Sequence, residues 1–373
     1  MEKYIYRNGK KLKYGYTTGS CAAAASKAAS IMLLKQETVD FVEIETPKGW
    51  KVRVKVEDIE IKERYAVCSV TKDSGDDPDV TDGIKIFSKV SFREDKKIEI
   101  QGGIGVGKIT KEGLSIPVGD WAINPVPRNM IKKEISSIFP QKGLKVKLWI
   151  PEGENIAKKT FNSRLGIIGG ISIIGTSGIV EPMSEEAFKE SIKLEMKISM
   201  QDKRESMIFC FGNYGVNFCK KRGIDENNII KTSNFIGDIL DEAVNFKIKK
   251  VLIVGHVGKL IKVAGGIFNT HSKMADSRME ILSAYTALNG GNRYLIKRIM
   301  ESNTTEEAVE ILQNQKQINF EVIFKEIAEV VKLKCEKRIY NKIDIEVVIF
   351  SQKKGILGMT TKAGERMVGF NEK

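Results

Sequence analysis

Short apolar segments alternate with longer helical segments in the second half of the chain, and this alternation constrains the fold more than any other feature. Asn234 precedes an amphipathic stripe, and Thr304 with Glu307 forms a capping-box pattern at a helix start. Alternating strands and helices predict a parallel, doubly wound sheet. Five apolar runs predict its strands, at residues 165–170, 206–211, 229–232, 251–254 and 343–350.

The first half of the chain predicts an α+β arrangement. The alanine-rich run at residues 21–25 predicts a helix that continues to about residue 34, with Thr18 or Ser20 as its N-cap. A Pro-Lys-Gly turn at residues 47–49 joins two strands into a hairpin. The remaining predicted elements are a helix at 126–139 and strands at 39–45, 50–56, 65–70, 97–101, 107–110 and 144–150.

The length of the chain predicts two domains. It has 373 residues, and single hydrophobic cores rarely grow beyond about 250–300 residues. Residues 151–155 have the Pro/Gly/polar composition of a linker. We therefore expect an α+β domain at residues 1–152 and a doubly wound α/β domain at residues 153–373.

The charge balance favours an anionic partner. Lys and Arg number 61 and Asp and Glu number 48, which gives a net charge of +13. Nucleic acid, an anionic membrane or an acidic small molecule would each fit this balance, and so would a solvated lysine-rich surface. The five cysteines are widely spaced and there are only two histidines, so free thiols are expected and a zinc site is disfavoured. Without a signal-like or membrane-spanning apolar run, we expect a cytoplasmic protein.

Three glycine-rich loops follow predicted strands, at residues 169–178, 212–215 and 255–259. In a parallel sheet the carboxyl ends of the strands share one edge, where ligands bind, and main-chain amides at helix starts suit anionic groups. The sequence therefore predicts a binding cleft at this edge. The glycines expected to contact a cofactor there are Gly169, Gly170, Gly175, Gly178, Gly212, Gly215, Gly255 and Gly258.

Two other glycine-containing patterns do not predict nucleotide sites. The run at residues 102–107 is followed by a strand-like segment, whereas a dinucleotide fingerprint requires a helix there. Lys259 is not a Walker lysine, because Ile253 and Leu260 occupy the positions of the motif's glycine and Ser/Thr.

Two polar segments contain candidate catalytic residues. His271 lies in the polar segment 269–278, where it could serve as a general base, a cobalt ligand, a donor to a carboxylate or simply a loop histidine. Residues 73–83 hold five carboxylates without the spacing of a calcium loop. That segment is either a solvated loop or a place where a carboxylate accepts a proton or binds a sulfonium cation.

Several strings of the sequence resemble the CbiD family. They lie at residues 14–22 (YGYTTGSCA), 75–81 (GDDPDVT), 122–128 (AINPVPR), 160–183, 255–259 (GHVGK) and 269–272 (NTHS). The resemblance covers residues 12 to about 290 with specific motifs and is looser beyond them. Ser163 stands where the family pattern has proline, which makes the backbone before Arg164 less rigid.

The resemblance implies a fold and an activity. It implies an N-terminal α+β domain like the second domain of ribosomal protein S5, and a C-terminal Rossmann-like domain. It also implies methyl transfer from S-adenosyl-L-methionine to carbon 1 of cobalt-precorrin-5B, giving cobalt-precorrin-6A in anaerobic cobalamin synthesis. Cobalt would enter only as part of this tetrapyrrole substrate, with no membrane or nucleic-acid partner, and a homo-oligomer is left open.

The basic side chains have a role in this interpretation, because the substrate ring bears many acetate and propionate groups. Arginine suits two-point carboxylate contacts better than lysine. Deprotonation of the macrocycle would require a base, for which His271 and Asp77 are the candidates. The predicted carboxylate-binding residues are Arg128, Arg164, Lys259, Lys262, Lys273 and Arg278.

Two alternatives belong to other functional classes. A nicotinamide-dependent reductase would need an acidic residue about 20 residues after a true G-x-G-x-x-G, which the sequence lacks. An RNA-binding protein would be expected to interleave aromatic residues with a basic stripe, and aromatic residues make up only 8% of the chain.

Overall fold

The computed structural model describes residues 3–7, 9–160, 162–200 and 205–370, so Phe161 of the predicted family motif lies outside the described residues. The protein has a mixed α/β fold, as predicted, and divides into two compact units. Unit 1 is Met1–Glu185 and unit 2 is Glu186–Lys373. Among the described residues, none of the helices combines the length and the apolar character needed to cross a bilayer.

The described part of unit 1 contains short strands and the α-helices α1 (Thr18–Lys35), α2 (Pro125–Ile138) and α3 (Gly153–Ala157). Its strands are β1 (Tyr4–Arg7), β2 (Lys10–Lys13), β3 (Gly15–Tyr16), β4 (Phe41–Glu45), β5 (Lys51–Lys55), β6 (Glu57–Lys62), β7 (Tyr65–Thr71), β8 (Lys85–Phe92), β9 (Ile98–Gly102), β10 (Gly105–Val106), β11 (Lys108–Ile109), β12 (Leu144–Trp149), β13 (Ile167–Ile168), β14 (Gly170–Ile171) and β15 (Ile179–Val180).

The core of unit 1 lies between helix α1 and a five-stranded sheet of order β6-β7-β8-β12-β9. The sheet is antiparallel except for the β12–β9 pair, which is parallel. The alanines of α1 allow close packing: Ser26 Oγ lies 2.9 Å from Ser88 Oγ of β8. The predicted hairpin is confirmed as the antiparallel β4–β5 pair.

The N-cap of α1 differs from the prediction. Thr17 caps the helix, with its Oγ1 accepting a hydrogen bond from the Ser20 amide at 3.2 Å. The two predicted caps have other positions and partners. Ser20 Oγ donates to the Gly178 carbonyl, and Thr18 is buried inside the first turn. Strands β6 and β8 were not predicted from the sequence.

The predicted linker at residues 151–155 lies within unit 1. Residues Gly153–Ala157 form α3, and the following chain returns to pair β13 with β11, β14 with β10 and β15 with β3. Gly105, Gly153 and Gly170 allow this close approach of the backbones. A Cβ atom on Gly153 would lie 2.1 Å from the Gly105 carbonyl oxygen, and a Cβ atom on Gly170 would lie 2.2 Å from the same oxygen. The chain therefore leaves unit 1 only after Glu185.

Among its described residues, unit 2 has five strands, β16 (Ser206–Cys210), β17 (Ile229–Lys231), β18 (Lys250–His256), β19 (Asp344–Ser351) and β20 (Gly355–Met359). Its α-helices are α4 (Glu185–Ser199), α5 (Asn213–Lys220), α6 (Ile236–Asn245), α7 (Val257–Ala264), α8 (Arg278–Leu288), α9 (Arg293–Met300), α10 (Thr305–Gln313), α11 (Phe320–Arg338) and α12 (Ala363–Val368).

The sheet of unit 2 has the order β17-β16-β18-β19-β20, with the first four strands parallel and β20 antiparallel. Both of its faces are covered. Val251 and Ile253 of β18 pack on one face with α6, α7 and α11, whereas Leu252 and Val254 pack on the other with α5 and α12. This is the covered parallel sheet that the strand and helix alternation predicts.

The strand order places a switch point between β16 and β18. From β16 the chain crosses through α5 to β17 on one side, and β18 lies on the other side of β16. Helices α5 and α7, which follow these two strands, pack on opposite faces of the sheet. Their diverging connections leave a crevice beyond the carboxyl ends of β16 and β18, where ligands bind in open parallel sheets.

Candidate functional site

Two of the three predicted glycine loops meet at this switch-point crevice. Gly212 follows β16, and its φ of +134° at the N-cap of α5 is a conformation that essentially only glycine adopts. Gly255 ends the apolar part of β18, where a Cβ atom would lie 2.8 Å from Leu260 Cγ. With Gly215 and Gly258 in the first turns of α5 and α7, four predicted glycines lie at one edge of the sheet.

The first glycine loop lies elsewhere, so the expected meeting of all three loops at one edge is wrong. Gly170 is in β14 of unit 1, paired with Gly105. Gly175 packs against Thr17, and the Gly178 carbonyl oxygen accepts a hydrogen bond from the Ser20 hydroxyl. Gly169 joins β13 to β14 in the same unit. This loop covers the start of α1 because the chain after α3 stays in unit 1 and pairs with its earlier strands.

His256 links the crevice to helix α10, a role that the sequence analysis missed. Its Nδ1 accepts the Gly258 amide hydrogen at 3.2 Å, which caps α7. Its Nε2 therefore carries the ring proton and donates to Glu306 Oε1 at 2.7 Å. A histidine directly after an apolar strand and two residues before a glycine was the available signal for an N-cap.

Glu306 accepts further hydrogen bonds from the β19–β20 turn. The Ser351 hydroxyl donates to Oε2 at 2.6 Å, and the Gln352 amide donates to Oε1 at 3.1 Å. Burial raises the pKa of Glu306, but the hydrogen bonds from Ser351, His256 and Gln352 outweigh burial and hold that pKa below its ordinary value. Glu306 is therefore an ionised acceptor that fixes three elements at the carboxyl edge.

A cationic cluster lies beside the start of α7. Lys259 Nζ donates to Asn234 Oδ1 at 2.7 Å and to the Thr270 carbonyl at 3.2 Å. Lys262 is 2% exposed, and its Nζ donates to the Ala275 carbonyl at 2.8 Å. Burial, followed by the charges of Lys262 and Arg278, lowers the pKa of Lys259. These two amines hold the 270–275 segment against α7.

The 269–278 segment, which carries His271 and Lys273, contacts Lys259 through Thr270 and places the charge of Arg278 near it. Arg278 makes a two-point contact with Asp276, at 2.6 and 2.7 Å. His271 Nδ1 accepts the Lys273 amide hydrogen at 3.1 Å, so a neutral His271 carries its proton on Nε2. That tautomer donates from Nε2, which favours a contact with a carboxylate over proton removal or cobalt ligation.

Two of the predicted site residues of unit 1, Arg128 and Asp77, form hydrogen bonds with main-chain groups of the same unit. Arg128 is half-buried, and its guanidinium donates to the Ile123 carbonyl at 2.8 Å and to the Ile100 carbonyl at 3.3 Å. Burial lowers the pKa of Arg128. Asp77 Oδ1 accepts the Met183 amide hydrogen at 2.8 Å. Arg164 lies in the turn before β13 and is partly exposed.

The cysteines have no ligand-like arrangement in the part of the chain that the structure describes. All five thiols are free and buried, and burial raises the pKa of Cys21, Cys68 and Cys335 to about 12. Within the described ranges, no three His, Cys, Asp or Glu side chains form a group able to hold a metal ion.

Comparison with known proteins identifies the family. The chain is 50% identical over 366 residues to the cobalt-precorrin-5B C(1)-methyltransferase of Alkaliphilus metalliredigens, an alignment that covers 98% of this chain and 96% of that protein. The protein of the same name from Thermoanaerobacter sp. is 49% identical, covering 98% of this chain and all (100%) of that protein. This chain belongs to the CbiD family.

The CbiD family model matches residues 5–182, which end close to the boundary of unit 1 at Glu185. A separate model for the CbiD C-terminal domain matches residues 269–361, from the His271 segment to the end of β20. A crystal structure of a CbiD cobalamin biosynthesis protein from Archaeoglobus fulgidus is 30% identical, covers 74% of this chain and 87% of that chain, and gives a TM-score of 0.39.

Proposed function

We propose that this protein methylates carbon 1 of cobalt-precorrin-5B with S-adenosyl-L-methionine, giving cobalt-precorrin-6A in anaerobic cobalamin synthesis. One observation carries the proposal: relatives named for this methylation are about half identical to the chain over nearly its whole length. In the transfer, the bond between sulfur and the methyl carbon breaks and leaves its electron pair on sulfur. The ring carbon supplies the pair for the new bond, and S-adenosylhomocysteine leaves.

The methyl donor would occupy the switch-point crevice of unit 2. The main chain at Gly212 and Gly255 allows close approach, and the amides at the starts of α5 and α7 suit the donor's carboxylate. Since the sulfonium is already a strong electrophile, the protein chiefly has to hold the donor in line with the ring carbon. The 2-1-3-4-5 strand order supports a Rossmann-type assignment of unit 2, and helix α1 on a mixed sheet supports an S5-type assignment of unit 1.

The 269–278 segment would contact the acidic substrate. Lys273 is exposed, and His271 in its Nε2–H tautomer can donate to a carboxylate. Lys259 and Arg278 contribute positive potential while their own donors bind protein acceptors. Arg164 is retained as a partly exposed candidate, and Asp77 as the candidate base, in unit 1.

The test uses the purified full-length protein under anaerobic conditions. S-adenosylhomocysteine should bind in calorimetry with one site per chain, and incubation with cobalt-precorrin-5B and donor labelled with carbon-13 in the methyl group should place the label on carbon 1. Label on another ring carbon, or no transfer by protein that binds the donor and substrate, would overturn the proposal.

A further inference from the structure

Unit 2 has a second concavity on the α5 face of its sheet, with a volume of about 580 Å³. Helix α5 forms one wall, and the end of β19 with the β19–β20 turn forms the other. This size lies within the range of small-molecule sites, which is about 300–1,000 Å³. We call it the α5 cleft. It is separate from the cluster around Lys259, which belongs to helix α7 on the opposite face of the sheet.

Aromatic rings form the floor and mouth of the α5 cleft. Phe218 stacks on Phe350, with ring centroids 4.3 Å apart and planes 18° apart, and both side chains are buried. Tyr214 stands at the mouth with 65% of its surface exposed, and its ring lies 6.4 Å from that of His256. A large exposed ring beside a buried aromatic pair gives a flat ligand a surface to pack against.

Cations surround this aromatic surface. Lys220 is paired with Glu226 at 2.8 Å, and the Arg222 guanidinium lies 3.6 Å from the Phe218 ring centroid. Lys221 also lines the cleft and is exposed, and among the described residues it has no carboxylate within ion-pair distance. The described lining contains no acidic side chain. The α5 cleft therefore has an available positive charge, in contrast to Lys259 and Arg278, whose donors already bind protein groups.

We propose that the α5 cleft binds an acidic side chain of the tetrapyrrole, with a carboxylate at Lys221 and an edge of the macrocycle against Tyr214. This inference rests on the proposed function and assigns it a substrate contact. The methyl donor is the wrong ligand for the cleft, because its sulfonium cation would meet the positive charge of Lys221 and the described lining contains no acidic side chain. A flat polyacid matches both the rings and the charge.

The probe is a cobalt corrin bearing free carboxylates, cobyrinic acid, and its comparison is cobinamide, in which those groups are amides. The full-length protein should bind the polyacid at least about tenfold more tightly than the amide. Lys221→Glu and Tyr214→Ala should each weaken polyacid binding about tenfold or more. The matched control is Lys249→Glu, which makes the same charge change at an exposed lysine before the amino end of β18 and should leave binding unchanged.

The possible outcomes distinguish a failure of the cleft assignment from a failure of the proposed function. Wild-type affinity for the polyacid in both Lys221→Glu and Tyr214→Ala, in proteins that still transfer methyl to carbon 1, would overturn the cleft assignment alone. ATP binding more tightly than the polyacid, with the same dependence on Lys221, would reassign the cleft to a nucleotide. A wild-type protein that neither binds S-adenosylhomocysteine nor methylates the substrate would overturn the function, and this inference with it.

Discussion

The Nε2 atom of His256 lies 2.7 Å from Oε1 of Glu306, a residue 50 positions later in the chain. This hydrogen bond joins the carboxyl end of β18 to the first turn of α10, and Glu306 also accepts from the β19–β20 turn. His256 is also close to both concavities: it caps α7 beside the crevice, and its ring lies against Tyr214 and Phe350 of the α5 cleft.

We expect Glu306→Gln to destabilise the protein by about 1.5–3 kcal/mol at pH 7, the range for hydrogen bonds to a charged group. Because the folded-state pKa of Glu306 is lowered, its contribution is present above the ordinary carboxyl pKa and is lost as the pH falls through the folded-state value. The difference between wild type and variant in urea unfolding should therefore shrink on acidification. Exposed Glu301→Gln is the control, and an equal loss there would refute the assigned role.

We expect Gly212→Ala to weaken S-adenosylhomocysteine binding, because the φ of +134° cannot be kept by alanine without strain of about 1–3 kcal/mol. The loop would relax and shift the amides at the start of α5. Gly290→Ala is the control: Gly290 also has positive φ and open space around it, but it follows α8. Both variants should lose stability, and only Gly212→Ala should lose donor affinity in calorimetry. Equal donor affinity in the two would remove Gly212 from the donor site.

We expect Lys262→Met to destabilise the protein by about 2–4 kcal/mol, because it leaves the Ala275 carbonyl without its buried donor and removes one of the two lysine donors to the Thr270 carbonyl. The 270–276 segment should then exchange its amide hydrogens faster than in wild type, as measured by hydrogen–deuterium exchange. Lys297→Met, at an exposed lysine of α9, should change neither quantity. Unchanged exchange in the segment would show that Lys262 does not hold it.

We expect His271→Ala to lower kcat/KM at least tenfold while the protein stays folded, and His271→Gln to recover much of that loss. Glutamine keeps a donor, so it replaces a group that binds a carboxylate, but it cannot accept a proton as a base does. The defect of the alanine variant should lie mainly in KM. A glutamine variant as inactive as the alanine variant would indicate proton transfer, and wild-type rates in both would exclude His271 from the site.

Much of unit 2 could be predicted from the sequence because its signals are local. The apolar runs of β16, β18 and β19 are buried on both faces, so they lack alternation and stand out against the helices between them. The alanine run of α1 was equally clear, and only its cap was misplaced, because the structure has Thr17 where the sequence predicted Thr18 or Ser20. In unit 1, the half-exposed β6 and the two-residue β10 gave weaker patterns and were not predicted, whereas the strand predicted at residues 107–110 corresponds to β11.

The sequence alone determined most strands of the parallel sheet, helix α1 and the fact that two glycine loops follow parallel strands, because periodicity and turn residues act over a few positions. Only the tertiary structure decided that the 169–178 loop pairs back into unit 1, that Arg128 donates to main-chain carbonyls, and that His256 meets Glu306. Those contacts join residues far apart in the chain. They depend on strand order and on the close approach of backbones, which local patterns do not encode.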